Sequence, residues 1–316
     1  MRKIIIDTDG GIDDAMALII ALKEKTLDIL GITTVFSNTS MVQATDNVLR
    51  ILKLLNRDGD IPVYMGSSVT IDGEEKRYAS DVHGENGLGE VVLPSSNVKP
   101  QKENASNFIV DMARKYPGEV SIITLGPLTN IAKALELEPE LPNLLDSIHM
   151  MGGSVFASGN VTACSEANIH ADAKSAKIVF SSDFNLYMIG LDVTTKVRLE
   201  KSKFLSLADR QDDETRPIFE FISKALEFYY AFYRKQELRF DVCPVHDPLA
   251  VLSFIDPALC MYKKMPVTVI VSDDITNGLT LADRRSRPSE NHLISVALEV
   301  DEDRAVGKLL TYFSAN

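Results

Sequence analysis

Along most of the chain the spacing of apolar positions switches back and forth between strand and helix periods. Lys3–Asp7 is a short β-rich run, and Asp13–Lys23 takes up helical spacing behind two aspartates, a favoured charge at a helix N-terminus. Ile29–Phe36 reads as a buried strand. Ser40–Leu55 follows as a helix with apolar positions Val42, Val48, Ile51, Leu52 and Leu55. Further strands are predicted at Ile61–Met65, Val120–Leu125, Ile148–Met151 and Leu186–Leu191, and further helices at Glu103–Tyr116, Pro127–Leu137 and Asp172–Phe180. This order predicts an α/β fold: a mostly parallel central sheet with helices on both faces.

Two stretches depart from the alternation. Ser67–Gln101 is rich in Gly, Ser, Pro and Asn and reads as a long loop, a length more often functional than not. Lys201–Arg239 is mostly helical and aromatic, with Phe219, Phe221, Phe228, Tyr229, Tyr230, Phe232 and Tyr233. After His246 come a helix, strand-like runs at Val267–Val271 and Leu293–Val300, and a final helix at Asp303–Phe313. With no internal repeat or linker, residues 1–316 are expected to form a single domain.

Composition narrows the function. With 45% hydrophobic and 25% charged residues, 316 residues can build a core without disulfides or a structural metal. A net charge of −12 argues against a nucleic-acid polymer as partner, though not against a small nucleic-acid fragment as substrate. The cysteines Cys164, Cys243 and Cys260 share no CxxC spacing and suggest neither a disulfide framework nor a zinc site. The chain runs straight into a strand without a signal-peptide pattern, and its apolar runs are too short for a membrane span. The expected setting is soluble and cytoplasmic.

The most informative segment is Asp7-Thr8-Asp9-Gly10-Gly11-Ile12-Asp13-Asp14-Ala15, which leaves the carboxyl end of the first strand, where open α/β sheets place ligands. Capping a helix takes one carboxylate, and this segment holds four around a Gly-Gly turn. Held together they repel unless a cation or protons compensate. A carboxylate set with no His or Cys nearby suits a hard ion, Ca²⁺ or Mg²⁺, over zinc.

DTDGGIDDAMAL resembles the N-terminal signature of the inosine–uridine-preferring nucleoside hydrolase family, DTDxGxDDAxA. The resemblance continues through Asn38 in VFSN, His83 in HGENGLG and the segment Leu125-Gly126-Pro127-Leu128-Thr129-Asn130. It extends through Gly152-Gly153, Gly159-Asn160-Val161-Thr162, Glu166-Ala167-Asn168 and His246-Asp247-Pro248. It implies a Rossmann-like nucleoside hydrolase fold and Ca²⁺-dependent hydrolysis of the N-glycosidic bond of ribonucleosides. Further implications are a role in nucleoside salvage and a homodimer or homotetramer. Asp9, Asp14, the Leu125 carbonyl and Asp247 map onto the metal ligands. Asp13, Asn38, Asn160, Glu166 and Asn168 map onto the residues that hold the ribose hydroxyls.

On this reading Asp9 takes the proton of the attacking water, and carboxylates favour the positive charge that builds at C1′. His246, beside a metal ligand and able to change charge near neutral pH, is the candidate acid for the departing base. His83 is a candidate contact to the base, while His149, His170 and His292 read as structural. The aromatic helix is mostly core, with Tyr229, Tyr230 or Tyr233 available to stack on the base. Ala167 stands where the family commonly has an aromatic, and no Trp follows Asp283 where relatives often place one. Both bear on substrate preference. His-Asp-Pro favours the inosine–uridine-like or pyrimidine-preferring branches.

Two alternatives stay open on sequence. Asp7-Thr8-Asp9-Gly10 also resembles the DxDG motif of haloacid-dehalogenase-type phosphatases, with Asp7 as the nucleophile. A non-catalytic ribose- or nucleoside-binding protein of the same fold is the other.

Overall fold

The computed structural model describes residues 1–237, 241–286 and 292–315. In chain order its strands are β1 (Arg2–Thr8), β2 (Leu27–Thr34), β3 (Val63–Met65), β4 (Val120–Thr124), β5 (Ser147–Met151) and β6 (Leu186–Ile189). Then follow β7 (Arg198–Glu200), β8 (Val242–Pro244), β9 (Cys260–Met265), β10 (Val267–Val269), β11 (Thr280–Ala282) and β12 (Ile294–Val300). The main sheet has the order β3-β2-β1-β4-β5-β6-β12-β9. It is parallel throughout except at β9, which runs antiparallel to β12. The strand order reverses between β1 and β4, a topological switch point. In such sheets that is where the carboxyl ends of neighbouring strands leave a crevice.

Alternation along β1 sends its side chains into two cores. Ile4 and Ile6 join one, built on the helices Ile12–Lys23 and His246–Ile255. Ile5 joins the other, built on Ala105–Lys115, Thr129–Leu137 and Ala173–Phe180. Helix Ile12–Lys23 is buried on every side from Ile12 to Leu22, consistent with its nearly unbroken apolar sequence. It packs against His246–Ile255 and against the long aromatic helix Arg216–Glu237.

The expected elements recur with ends shifted by a residue or two, and the differences have local causes. β9 is unforeseen because Lys263 and Lys264 interrupt its apolar pattern; exposed lysines are how an edge strand avoids pairing with another chain. The run at Val267–Val271 is a strand only to Val269 and pairs with β11 outside the main sheet. Inside the loop Ser67–Gln101 lies a helical turn, Ser80–His83. The predicted helix end at Arg239 lies outside the described residues.

Candidate active site

The turn after β1 depends on its glycines. Gly10 has φ +72°, and a Cβ there would sit 2.6 Å from the Ala44 Cα. A Cβ on Gly11 would lie 2.5 Å from Asn38 Nδ2 and 2.8 Å from His83 Nδ1. Beyond the turn Asp14 accepts from the Gly11 amide at 2.9 Å, from the Asp9 amide at 3.2 Å and from the Thr8 hydroxyl. Asn38, on the loop after β2, donates through Nδ2 to Asp9 Oδ1 (2.9 Å) and Asp14 Oδ2 (3.0 Å). Its amide donates to Asp9 Oδ2 at 3.1 Å.

The first turn of the neighbouring helix supplies Asp247, so two helix N-termini, each favourable for an anion, bring carboxylates together. Oxygens of Asp13, Asp14 and Asp247 lie within 4.8 Å of one another. Asp9, Asp13, Asp14 and Asp247 are all buried. Burial, then repulsion from Asp14, raises the pKa of Asp9 and Asp13, and burial with repulsion from Asp13, Asp14 and Asp9 raises that of Asp247. Asp13 Oδ1 is buried without a hydrogen-bond partner. Among the described residues no Lys or Arg lines the cavity in front of this cluster. Buried oxygen donors short of positive charge fit a hard divalent cation.

Asp9 was expected in the ligand set and Asp13 among the sugar-binding residues. The closest trio instead contains Asp13, while both oxygens of Asp9 accept from Asn38. Asp7 stands apart from the cluster to which the sequence reading assigned it. Its side chain remains within the sheet, where Thr33 Oγ1 at 2.5 Å and Asn130 Nδ2 at 2.7 Å donate to its Oδ1. Burial pushes its pKa up to about 7. Fully buried and absent from the cavity wall, Asp7 is not placed as a phosphatase nucleophile.

One side of the cavity is polar. Asn168 Nδ2 donates to the Leu125 carbonyl at 2.8 Å and to the Met151 carbonyl at 3.1 Å, tying together the ends of β4 and β5. Glu166 is the N-cap of the short helix Ala167–Ala171. It accepts from the amides of Asn168 (2.9 Å), Gly153 (2.9 Å) and Ile169 (3.1 Å), and burial raises its pKa. Asn160 Oδ1 accepts from the Ala167 amide at 2.9 Å. Leu125, Asn38, Asn160, Glu166 and Asn168 all line the cavity.

The opposite side is aromatic. Tyr229, Phe232, Tyr233 and Gln236, at i, i+3, i+4 and i+7 of the long helix, face the cavity. Tyr230, proposed from sequence to stack on the base, is a core residue that does not line it, because the helical period turns it away. His83 Nδ1 accepts from the Ile12 amide at 3.1 Å, which leaves Nε2 as the protonated nitrogen of a neutral ring. His246 is held at both nitrogens: Nδ1 lies 2.8 Å from Thr194 Oγ1 and Nε2 lies 3.1 Å from the Tyr233 phenol. Tyr233 lies 3.5 Å from Tyr229, whose phenol donates to Asp13 Oδ2 at 3.4 Å. Burial lowers both His83 and His246 to a pKa of about 4. The expectation that His246 changes charge near neutral pH is therefore corrected: buried imidazole is kept neutral.

The sequence reading missed Thr194, Phe232 and Gln236 as site residues. Helical spacing from Tyr229 would have found Phe232 and Gln236, whereas nothing local marks Thr194, which reaches His246 from the helical turn Leu191–Thr194 after β6. His149 is stacked on Tyr187, with centroids 4.4 Å apart, away from this cavity. No helix among the described residues is long and apolar enough to cross a membrane.

The family model described as inosine-uridine preferring nucleoside hydrolase matches residues 4–307. Uridine nucleosidase 1 of Arabidopsis thaliana is 38% identical over 283 residues, covering 90% of this chain and 82% of its own length. The solved structure of a plant nucleoside hydrolase, the PpNRh1 enzyme, superposes with a TM-score of 0.93 at 34% identity, covering 100% of this chain and 99% of that one. A purine-preferring ribonucleoside hydrolase from Gardnerella vaginalis gives 0.92 at 33% identity, with coverage of 99% and 98%.

Proposed function

Because the chain belongs to the inosine-uridine preferring nucleoside hydrolase family, and is thereby a ribonucleoside hydrolase, we propose that this cavity is its active site and that Ca²⁺ is its metal. The observation that carries this reading is the buried carboxylate group Asp9, Asp13, Asp14 and Asp247, of which Asp13 and Asp247 face an aromatic wall across a cavity that no lysine or arginine lines among the described residues. Asp9, Asp14, Asp247 and the Leu125 carbonyl are the residues to hold the ion, with Asp13 close enough to share in it. When bound, the cation keeps the carboxylates ionised, draws in vicinal hydroxyls and acidifies water.

The remaining chemistry belongs to the protein. Asn38 orients Asp9, which accepts the proton of the water that attacks C1′. Asp13 and Asn168 hold ribose hydroxyls, and the carboxylates stabilise the oxocarbenium-like charge as the glycosidic bond breaks. Tyr229 and Phe232 flank a uracil- or hypoxanthine-like base. The Tyr233 phenol gives its proton to the departing base as the glycosidic bond breaks and is reprotonated from solvent; neutral His246, fixed by Thr194, positions the phenol and stabilises the phenolate through Nε2. The same reading takes the enzyme to be a cytoplasmic homodimer or homotetramer serving nucleoside salvage.

The test is release of free base and reducing sugar from uridine and inosine by Ca²⁺-loaded protein, in equal amounts. Tight nucleoside binding without release of ribose would overturn the reading in favour of a binding protein.

A further inference from the structure

Beside the polar and aromatic sides, Ala79, Val82 and His83 close the cavity from the segment that follows β3. This segment runs on through Gly84-Glu85-Asn86-Gly87-Leu88-Gly89, a turn closed on itself. Asn86 Oδ1 accepts from the amides of Leu88 (2.9 Å) and Glu90 (3.1 Å), and its Nδ2 donates to the Val91 carbonyl at 3.0 Å. The Gly89 amide donates to the His83 carbonyl at 2.8 Å, which ties His83 to the turn. The turn is wedged between two parts of the site. A Cβ on Gly87 (φ +76°) would lie 2.8 Å from the Gly10 carbonyl oxygen; one on Gly89 would lie 2.9 Å from the Ala225 carbonyl oxygen on the aromatic helix.

Leu88 is buried in the core beneath and holds the turn down. Apolar burial is non-directional, so it does not set where His83 points. Hydrogen bonds do. One runs from the Ile12 amide to His83 Nδ1 at 3.1 Å. The other link is Asn47, which is 1% exposed on the helix Met41–Leu54 and does not line the cavity. Its Nδ2 donates to both the Gly10 carbonyl (2.9 Å) and the Asn86 carbonyl (2.8 Å), one on the carboxylate turn and one on the closed turn. Gln43 Nε2 donates to Asn47 Oδ1 at 2.9 Å and fixes which way the amide faces. Two carbonyls held this close need two donors from one short side chain, which a carboxamide supplies.

We propose that Asn47 is a positioning residue for the reaction: its bridge fixes the spacing between the carboxylate turn and the wall of Val82 and His83, so that a nucleoside meets a cavity already shaped. This rests on the ribonucleoside-hydrolase reading above. Without the bridge the turn keeps its apolar anchor but samples other positions, and substrate binding must restore the right one. If that position is held about a tenth of the time, apparent affinity falls about tenfold. Bound substrate then meets the same groups, so the loss falls on KM and not on kcat.

The test uses N47A and G87A, the second pushing the turn away from Gly10 while leaving Asn47 in the chain. In the Ca²⁺-loaded enzyme each is expected to raise KM for the faster of uridine and inosine by about tenfold or more, with kcat within about threefold of native. The double variant should add little to either, as for two changes that break one contact. Hydrogen–deuterium exchange by mass spectrometry should quicken, in both variants, in peptides that hold the Ile12 and Gly89 amides. A lower Tm with native KM and native exchange would overturn the proposal and leave Asn47 a structural residue. So would a loss confined to kcat, which would place its action on the carboxylates through Gly10. Absence of hydrolysis by the native enzyme would overturn the underlying reading instead; faster exchange in N47A would still show that the bridge holds the turn.

Discussion

The Tyr233 phenol lies 3.1 Å from Nε2 of His246, while Thr194 fixes the other ring nitrogen from 2.8 Å. The contact joins the long aromatic helix to the helix that carries Asp247. On the proposed reading the Tyr233 phenol is the acid for the leaving base, and neutral His246 acts on the base only by positioning that phenol and stabilising its phenolate. Y233F and H246A should each slow a natural nucleoside by ~10²–10⁴-fold, the usual contribution of a positioned acid. A p-nitrophenyl riboside, whose leaving group departs as a stable anion, should be hardly affected. Equal losses for both substrates in folded, Ca²⁺-loaded variants would remove Tyr233 as the acid.

The ribose hydroxyls should be indispensable. Asp13 Oδ1 is buried without a partner, and a hydroxyl that satisfies it leaves an unmatched carboxylate when absent. Discrimination of this type reaches ~10⁴–10⁵. The measurement is kcat/KM for uridine against 2′-deoxyuridine; similar values would show that the diol is held elsewhere.

Removing the cation should cost stability as well as activity, since an ion bound only by the folded state contributes about 2.7 kcal/mol at a hundredfold excess over its Kd. Chelation should therefore lower Tm, and added Ca²⁺ should restore it. In D247N the repulsion from Asp13, Asp14 and Asp9 is relieved, so the metal-free variant should melt no lower than the metal-free native enzyme. Its gain in Tm on adding Ca²⁺ should nevertheless shrink. An undiminished Ca²⁺ response would remove Asp247 from the ligand set.

A pH dependence follows from a histidine outside the active site. Burial lowers His149 from the ordinary 6.5 to about 4, against a smaller opposing pull from Asp146. The unfolded chain thus binds this proton more readily than the folded one. The neutral ring's contribution is complete above about pH 6.5 and is lost as pH falls toward 4, by about 3 kcal/mol at most. Denaturant unfolding of the native enzyme and H149Q at pH 7 and pH 4.5 checks it. The stability difference between the two pH values should be smaller in the variant.

The Gly-Gly turn should tolerate no side chain. G11A places a Cβ against Asn38 Nδ2 and His83 Nδ1, both near ends of side chains that are themselves fixed by hydrogen bonds. Overpacking of this kind costs about 1–3 kcal/mol, and displacing Asn38 also frees Asp9. Loss of kcat should exceed that expected from the fraction unfolded. A variant with native kcat would show that the turn has room to shift.

Periodicity alone made the succession of strands and helices legible, because β1, β2, β4 and the helices between them have apolar patterns set by burial on both faces of a parallel sheet. The close sequence spacing of Asp9, Asp13 and Asp14 around two glycines likewise announced a carboxylate site, since repulsion among them demands a counter-charge. What the chain order could not say was which distant groups complete it. Asp247 joins because two buried helices pack side by side with their N-termini level. Thr194 and Tyr233 hold His246 because the helical turn after β6 and the long aromatic helix both reach the start of the helix His246–Ile255. The same packing removed Asp7 and Tyr230 from the site, one retained in the sheet by Thr33 and Asn130, the other turned into the core. It also set the state of His246, because a charge depends on solvation, and solvation is decided by everything that packs around the ring.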